Sequence, residues 1–139
     1  MQLLAFDFGL KQIGVASGST ISCVSTELCV LSAKEGQPDW AQVERILGEW
    51  KPKLCLVGLP LNMDGSESEL SRRAIKFARR LEGRFAASVE MVDERLTSNE
   101  AKILSREKGH SGNYKKAPID ALAAKIILDQ WFATQTTKQ

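Results

Sequence analysis

Residues 3–9 read LLAFDFG, and this stretch predicts a strand that is buried on both faces of a sheet. Alternation puts Asp7 on the same face as Leu3 and Ala5, opposite Leu4 and Phe6. A carboxylate at the end of a core strand is costly to desolvate unless a cation or a hydrogen-bond donor offsets that cost. Asp7 is therefore the first candidate for a functional residue.

The composition bounds the class of protein. The chain has 139 residues, 43% of them hydrophobic, so we expect a single domain over residues 1–139 with a true core. Its 19 basic and 17 acidic residues give a formal charge of +2, too small to indicate nucleic-acid binding by itself. The sequence has no apolar run of about 18 residues and no secretion signal, which predicts a cytoplasmic protein without a membrane span. Cys23, Cys29 and Cys55 form no CxxC pair and are expected to be buried, reduced thiols.

The order of elements predicts an α/β fold. Three strand-like segments come first, and the short gaps between them predict antiparallel neighbours. Helices and strands then alternate, which favours one mixed sheet with helices on both faces. The predicted elements are strands at 2–8, 13–19 and 21–30, a helix at 38–50, a strand at 54–58, a helix that opens with a Ser66–Glu69 capping box and ends near Gly83, a strand at 89–92, a helix that opens at Thr97, a polar loop at 108–118 and a helix at 118–132.

Four acidic residues lie at junctions of these elements. Asp7, Asp93 and Glu94 follow strands, and Asp120 begins the last helix, on the face that carries its apolar residues. Each has an ordinary structural explanation: a buried acid bonded to backbone for Asp7, turn acids for the pair, and an offset of the helix dipole for Asp120. Together they favour a Mg²⁺ or Mn²⁺ site, because functional groups gather at the carboxyl ends of strands in α/β sheets.

Cations lie close to these acids in the sequence. Lys11 and Arg95 flank Asp7 and Glu94, and Lys115 and Lys116 precede Asp120. They are candidates for holding a polyanion at the metal site.

Two further segments leave alternatives open. The loop at 58–65 is either a plain connection with a turn at Asp64 and Gly65, or a phosphate-binding loop that uses Asn62 and its own backbone N–H groups. The basic helix at 71–80 has either a solvated face or a surface that follows phosphates. No aromatic residues interleave with its charges, so base stacking is not indicated.

Four motifs run in order from near the start of the chain to its last helix. They are LAFDFGLKQIGVA at 4–16, VGLPLNMDG at 57–65, VDERLT at 92–97 and IDALAA at 119–124. In type and order they resemble the motifs of the YqgF family, pre-16S rRNA nucleases that are also described as Holliday-junction-resolvase-like, in the ribonuclease H-like superfamily. The resemblance implies a ribonuclease H-like mixed five-stranded sheet, in which three antiparallel strands precede two parallel ones.

The same resemblance implies metal-dependent phosphodiester cleavage that matures the 5′ end of 16S rRNA. It implies that Asp7, Glu94 and Asp120 are the catalytic acids, with Asp93 in reserve. Our hypothesis is hydrolysis by water at a pair of Mg²⁺ or Mn²⁺ ions, with Asp7 shared between them. The expected partners are precursor rRNA, ribosomal assembly particles and, in a resolvase, branched DNA, for a chain that is a monomer or a weak dimer.

Three rival functions remain at this point. The first is a Holliday-junction resolvase with the same site. The second is an ATP-binding protein, since Asp7, Gly9 and Gly14 also fit the phosphate loop of actin-like ATPases, which need two such domains. The third is a ribosome-assembly module that binds RNA or protein without catalysis.

Overall fold

The computed structural model describes residues 1–60, 64–93 and 119–137, and within the last segment the side chains of 122–135. The predicted helix that opens at Thr97 and the predicted loop at 108–118 lie outside these residues. The described elements, in chain order, are β1 (Gln2–Asp7), β2 (Gln12–Ser19), β3 (Ser25–Lys34), β4 (Gln37–Pro38), α1 (Trp40–Trp50), β5 (Leu54–Leu59), α2 (Glu69–Phe85), β6 (Val89–Asp93) and α3 (Ile119–Thr137).

The strands form one sheet in the order β4-β3-β2-β1-β5-β6. β1 pairs antiparallel with β2, as do β2 with β3 and β3 with β4, while β1, β5 and β6 are parallel. This confirms the predicted mixed α/β sheet, with one difference in strand count. A sixth strand, β4, has only two residues, and a segment that short produces no periodic pattern in the sequence.

The start of one strand and the cap of one helix differ from the predictions for identifiable reasons. The third strand begins at Ser25, not at 21, because the apolar Ile21 and Val24 lie in an exposed turn with 89% and 60% of their surface accessible. The capping box at α2 is formed by Ser68 and Ser71, not by Ser66 and Glu69. Ser66 instead donates its backbone N–H to Asp64 Oδ1 at 2.9 Å, in a local turn.

The remaining helix ends lie close to their predicted positions. α1 begins at Trp40, and the side chain of its N-cap residue, Asp39, accepts a hydrogen bond from the backbone N–H of Ala41. α2 continues to Phe85, two residues past Gly83, and α3 continues to Thr137, five residues past the predicted end.

The sheet has one apolar core on each face. Leu4, Phe6 and Phe8 project into the core beneath α1 and α2. Leu3 and Ala5 project into the core beneath α3. Because side chains alternate along a strand, Asp7 projects to the α3 face, like Leu3 and Ala5.

The cysteines are all free thiols, as predicted, but they are not all buried. Cys55 is buried, Cys29 is half-buried, and Cys23 is exposed in the turn between β2 and β3. Burial raises the pKa of the Cys55 thiol to about 12. No helix within the described residues is long and apolar enough to cross a membrane.

Candidate metal centre

Asp7 ends β1 and is buried, with 8% of its surface accessible. Its cross-strand partner on β2 is Gly14. On the other side β1 and β5 pair up to Phe6 and Val57, so the next residue of β5 beside Asp7 is Gly58. Neither glycine has a Cβ, and the strands on both sides therefore contribute no side chain next to the carboxylate. Asp7 is thus flanked by glycines on both neighbouring strands, at the carboxyl edge of the parallel strands.

The turn after Asp7 is tightly held. A Cβ on Gly9 would lie 2.5 Å from the backbone oxygen of Gln12, so only glycine fits there without a backbone shift. The backbone N–H of Ala33 donates to Lys11 O at 2.8 Å, which ties the turn to β3. The exposed Lys11 side chain is thus anchored through its backbone four residues beyond Asp7.

The direction of side chains on β6 separates its two terminal acids. Glu90 accepts a hydrogen bond from Trp131 Nε1 of α3 at 3.0 Å, and Val92 packs against the core beneath α3. Val89 and Met91 pack into the core on the opposite face. Alternation therefore directs Asp93, the last residue of β6, away from the face that carries Asp7.

The end of α3 distant from Asp120 is docked against the start of β1. A Cβ on Gly18 would lie 3.2 Å from Phe132 Cζ and 3.3 Å from Leu128 Cδ1, so α3 approaches the sheet closely there. Gly18 pairs with Leu3 at the amino end of β1. Ser25 Oγ also donates to Asp129 Oδ1, which attaches the same part of α3 to β3. Asp120 is the second residue of this helix, at the other end.

Most of the other candidate residues lie outside the described part of the chain. These are Asn62, Glu94, Arg95, Lys115 and Lys116, and the side chain of Asp120 belongs with them. Within the described residues, no three His, Cys, Asp or Glu side chains come together in a group that could hold a metal ion. Of the proposed acidic ligands, Asp7 alone has a described side chain.

The amino-acid sequence is similar to those of known proteins. The sequence model of the RuvX family, described as Holliday junction resolvase, matches residues 1–134. A protein of Saccharophagus degradans named "Putative pre-16S rRNA nuclease" is 55% identical over 130 residues, which cover 94% of this chain and 92% of the relative. A protein of Pseudomonas putida with the same name is 54% identical over 135 residues, which cover 96% of each.

Two groups of solved structures share the fold. The structure of T. thermophilus RuvC in complex with a Holliday junction substrate matches with a TM-score of 0.56 at 15% identity, over 98% of this chain and 96% of that one. The fowlpox virus Holliday junction resolvase also matches with a TM-score of 0.56, at 16% identity, over 98% of this chain and 99% of that one. At such low identity the similarity shows a common fold.

Proposed function

This chain belongs to the RuvX family, and we propose that it is a divalent-metal-dependent endonuclease that processes the 5′ end of precursor 16S rRNA. The observation that carries the proposal is the identity of more than half with relatives named as pre-16S rRNA nucleases, along nearly the whole of both chains. The proposed metal site is built around Asp7, which is buried and has glycines on both neighbouring strands.

Asp7, Glu94 and Asp120 are the proposed catalytic acids and metal ligands. The choice of Glu94 over Asp93 rests on the alternation along β6. Glu90 and Val92 share the α3 face with Asp7, whereas Asp93 follows on the opposite face, which favours its neighbour Glu94 as the ligand. Asp93 remains a proposed reserve only.

The proposal for Asp120 rests on the dimensions of α3 and β1. Leu128 contacts the sheet at Gly18, which pairs with Leu3. Eight residues of helix rise about 12 Å, and the four residues from Leu3 to Asp7 rise about 13 Å. If α3 runs back along β1, the backbone at position 120 therefore reaches the level of Asp7.

The chemistry of this donor set fits magnesium or manganese, which prefer carboxylate oxygens and keep water and phosphate as further ligands. Bound there, such ions supply the positive charge that activates water and stabilises the leaving oxygen of a phosphodiester. The protein itself positions the acids at the edge of the sheet and binds the RNA. The residues we propose to bind the phosphate oxygens of the RNA are Lys11, Asn62, Arg95, Lys115 and Lys116.

The direct test is cleavage of a precursor 16S rRNA 5′ segment by wild type and Asp7→Asn, side by side in magnesium. We expect Asp7→Asn to lose cleavage and to keep its circular dichroism spectrum, because the amide has the shape of the acid but not its charge. Asp129→Asn is the matched control, since this exposed residue lies at the other end of α3 and its amide oxygen still accepts from Ser25. Retained metal-dependent cleavage by Asp7→Asn would remove Asp7 from the mechanism.

Branched DNA is the second candidate substrate, because the RuvX family description and the solved structures name Holliday junction resolvases. A resolvase cuts two symmetric strands and needs a two-fold dimer. We propose instead a monomer or weak dimer that acts in the cytoplasm on ribosomal assembly particles, with residues 1–139 as one domain. Preferential cleavage of a four-way junction by a stable dimer would favour the resolvase.

A further inference from the structure

A groove of about 620 Å³ runs between α2 and the hairpin of β3 and β4, on the face of the sheet opposite α3. Phe8 and Gly36 lie at its floor, and α2 lines one side. A second cleft of about 420 Å³ adjoins it and shares Glu35 and Arg73. The two together are called the basic groove here, and their cationic residues besides Arg73 are Lys11, Lys34, Arg72, Lys76, Arg79 and Arg80.

Positive charge is concentrated in the basic groove. Seven of its lining residues are cationic and three are acidic, whereas the whole chain carries 19 basic and 17 acidic residues. Glu69 is paired with Arg73 at 3.2 Å, which leaves Glu35 and Glu67 as the other acids. Among the residues that the structure describes, none of the remaining six cations forms an ion pair. Seven cations and three acids give the groove a net charge of +4, so it presents a positive field to solvent.

The cations on α2 also repel one another. Arg72, Lys76 and Arg80 follow one another at intervals of four residues, and Arg79 is three residues from Lys76. Like charges at this spacing destabilise a helix. A polyanion in the groove would relieve that repulsion, so the arrangement is better suited to a bound state than to the free protein.

The groove leads to the edge of the sheet where Asp7 lies. Phe8, at its floor, is the next residue after Asp7. α2 begins at the same edge, because Ser68 Oγ donates to the backbone oxygen of Pro60 just after β5. From Arg72 to Arg80 the helix rises about 12 Å away from this edge, which corresponds to roughly three phosphates of a stacked strand.

We propose that the basic groove binds the sugar-phosphate backbone of the RNA segment that flanks the cleaved bond. The proposal rests on the proposed function and extends it to the face of the sheet opposite α3. The aromatic side chains along the groove, Phe8 and Phe77, are buried, so their faces are not available for stacking on bases. With contacts made to phosphates and without stacking on bases, binding should depend strongly on salt and little on base sequence.

The test compares two double variants with the same change in charge. Arg72→Gln/Lys76→Gln removes two exposed cations from the groove, and Arg45→Gln/Lys53→Gln removes two exposed cations from outside it. Binding of a fluorescent single-stranded precursor 16S rRNA segment is measured by anisotropy in EDTA, over a range of salt concentrations. EDTA prevents cleavage, so the measurement reports binding alone.

The groove variant should lower the slope of log affinity against log salt by about 1.4, since each contact with a single strand contributes about 0.7. This corresponds to roughly 25-fold weaker binding at 0.1 M salt and to little change near 1 M. An unrelated RNA of the same length should respond in the same way. The melting temperature of the groove variant should not fall, because the substitution removes repulsion between like charges.

Equal slopes for the groove variant and wild type, or equal losses in the two double variants, would overturn the proposal. Its failure is distinct from failure of the proposed function. If wild type does not cleave RNA in magnesium but the groove variant still loses its salt-dependent binding, the nuclease is refuted and the groove stands.

Discussion

The close contact between Gly18 and α3 allows a test of whether this helix positions Asp120 relative to Asp7. A Cβ at residue 18 would lie 3.2 Å from Phe132 Cζ and 3.3 Å from Leu128 Cδ1. Unstrained carbon contacts are about 3.5–4.0 Å. The methyl groups of Gly18→Val extend about 1.5 Å further than a Cβ, so the helix has to retreat by a distance on the order of 1 Å.

Two consequences are expected for Gly18→Val. Overpacking should lower the free energy of unfolding by about 1–3 kcal/mol. Displacement of α3 should move Asp120 relative to Asp7, and a shift of about 1 Å in a catalytic site can lower the rate by roughly 100-fold. The assays are urea unfolding followed by circular dichroism, and the initial rate of precursor RNA cleavage well below the melting temperature.

Gly48→Val is the matched control, because it adds the same atoms to α1 at a position with no neighbouring atom within 4 Å. Its stability should be unchanged or slightly higher, since valine is a better helix former than glycine, and its cleavage rate should equal that of wild type. If Gly18→Val loses stability but cleaves at the wild-type rate, the position of α3 is irrelevant to catalysis, and Asp120 does not act together with Asp7.

Three further predictions concern stability. Gly36→Ala should lower the free energy of unfolding by at least about 1–3 kcal/mol, because residue 36 has a φ of +83° and a Cβ there would lie 2.7 Å from Phe8 Cζ, whereas Gly83→Ala in open space should not be destabilising. Ser68→Ala should cost about 1 kcal/mol in urea unfolding through loss of the α2 capping box, and no loss would mean that the cap is dispensable. Burial raises the pKa of the Cys55 thiol from 9.0 to about 12, so above pH 9 the thiol ionises in the unfolded chain while it stays neutral in the folded one. The advantage of wild type over Cys55→Ala should therefore shrink by about 1.4 kcal/mol per pH unit above pH 9, and a constant difference would contradict this.

The sequence predicted those parts of the fold that depend on local patterns. Apolar runs and short gaps correctly indicated the antiparallel strands, and the alternation of helices and strands correctly indicated a mixed sheet. The parallel β5 and β6 were implied by the family resemblance. The start of the third strand was wrong because the apolar Ile21 and Val24 occupy an exposed turn, and apolarity alone does not distinguish such a turn from a strand. The capping box was displaced by two residues because Ser66 bonds to Asp64 instead, a competition between turn and helix that the motif does not reveal.

The candidate site was only partly accessible to sequence reasoning. The sequence identified Asp7 from its position at the end of a buried strand, and its burial confirms that environment. The resemblance favoured Glu94 with Asp93 in reserve, but the local pattern could not show which face Asp93 occupies, because that depends on the packing of Val92 against α3. The sequence also could not place the basic residues of α2 beside the β3–β4 hairpin. The second strand of that hairpin, β4, has only two residues and gives no pattern that reveals the hairpin.

Calorimetric titration with Mn²⁺ tests most directly whether Asp7, Glu94 and Asp120 share a metal site. Wild type should bind Mn²⁺, and Asp93→Asn should bind it like wild type. Asp7→Asn, Glu94→Gln and Asp120→Asn should each weaken binding by at least about 10-fold. If Glu94→Gln and Asp120→Asn bind Mn²⁺ as tightly as wild type, the three acids do not form one site and the proposed metal centre is refuted.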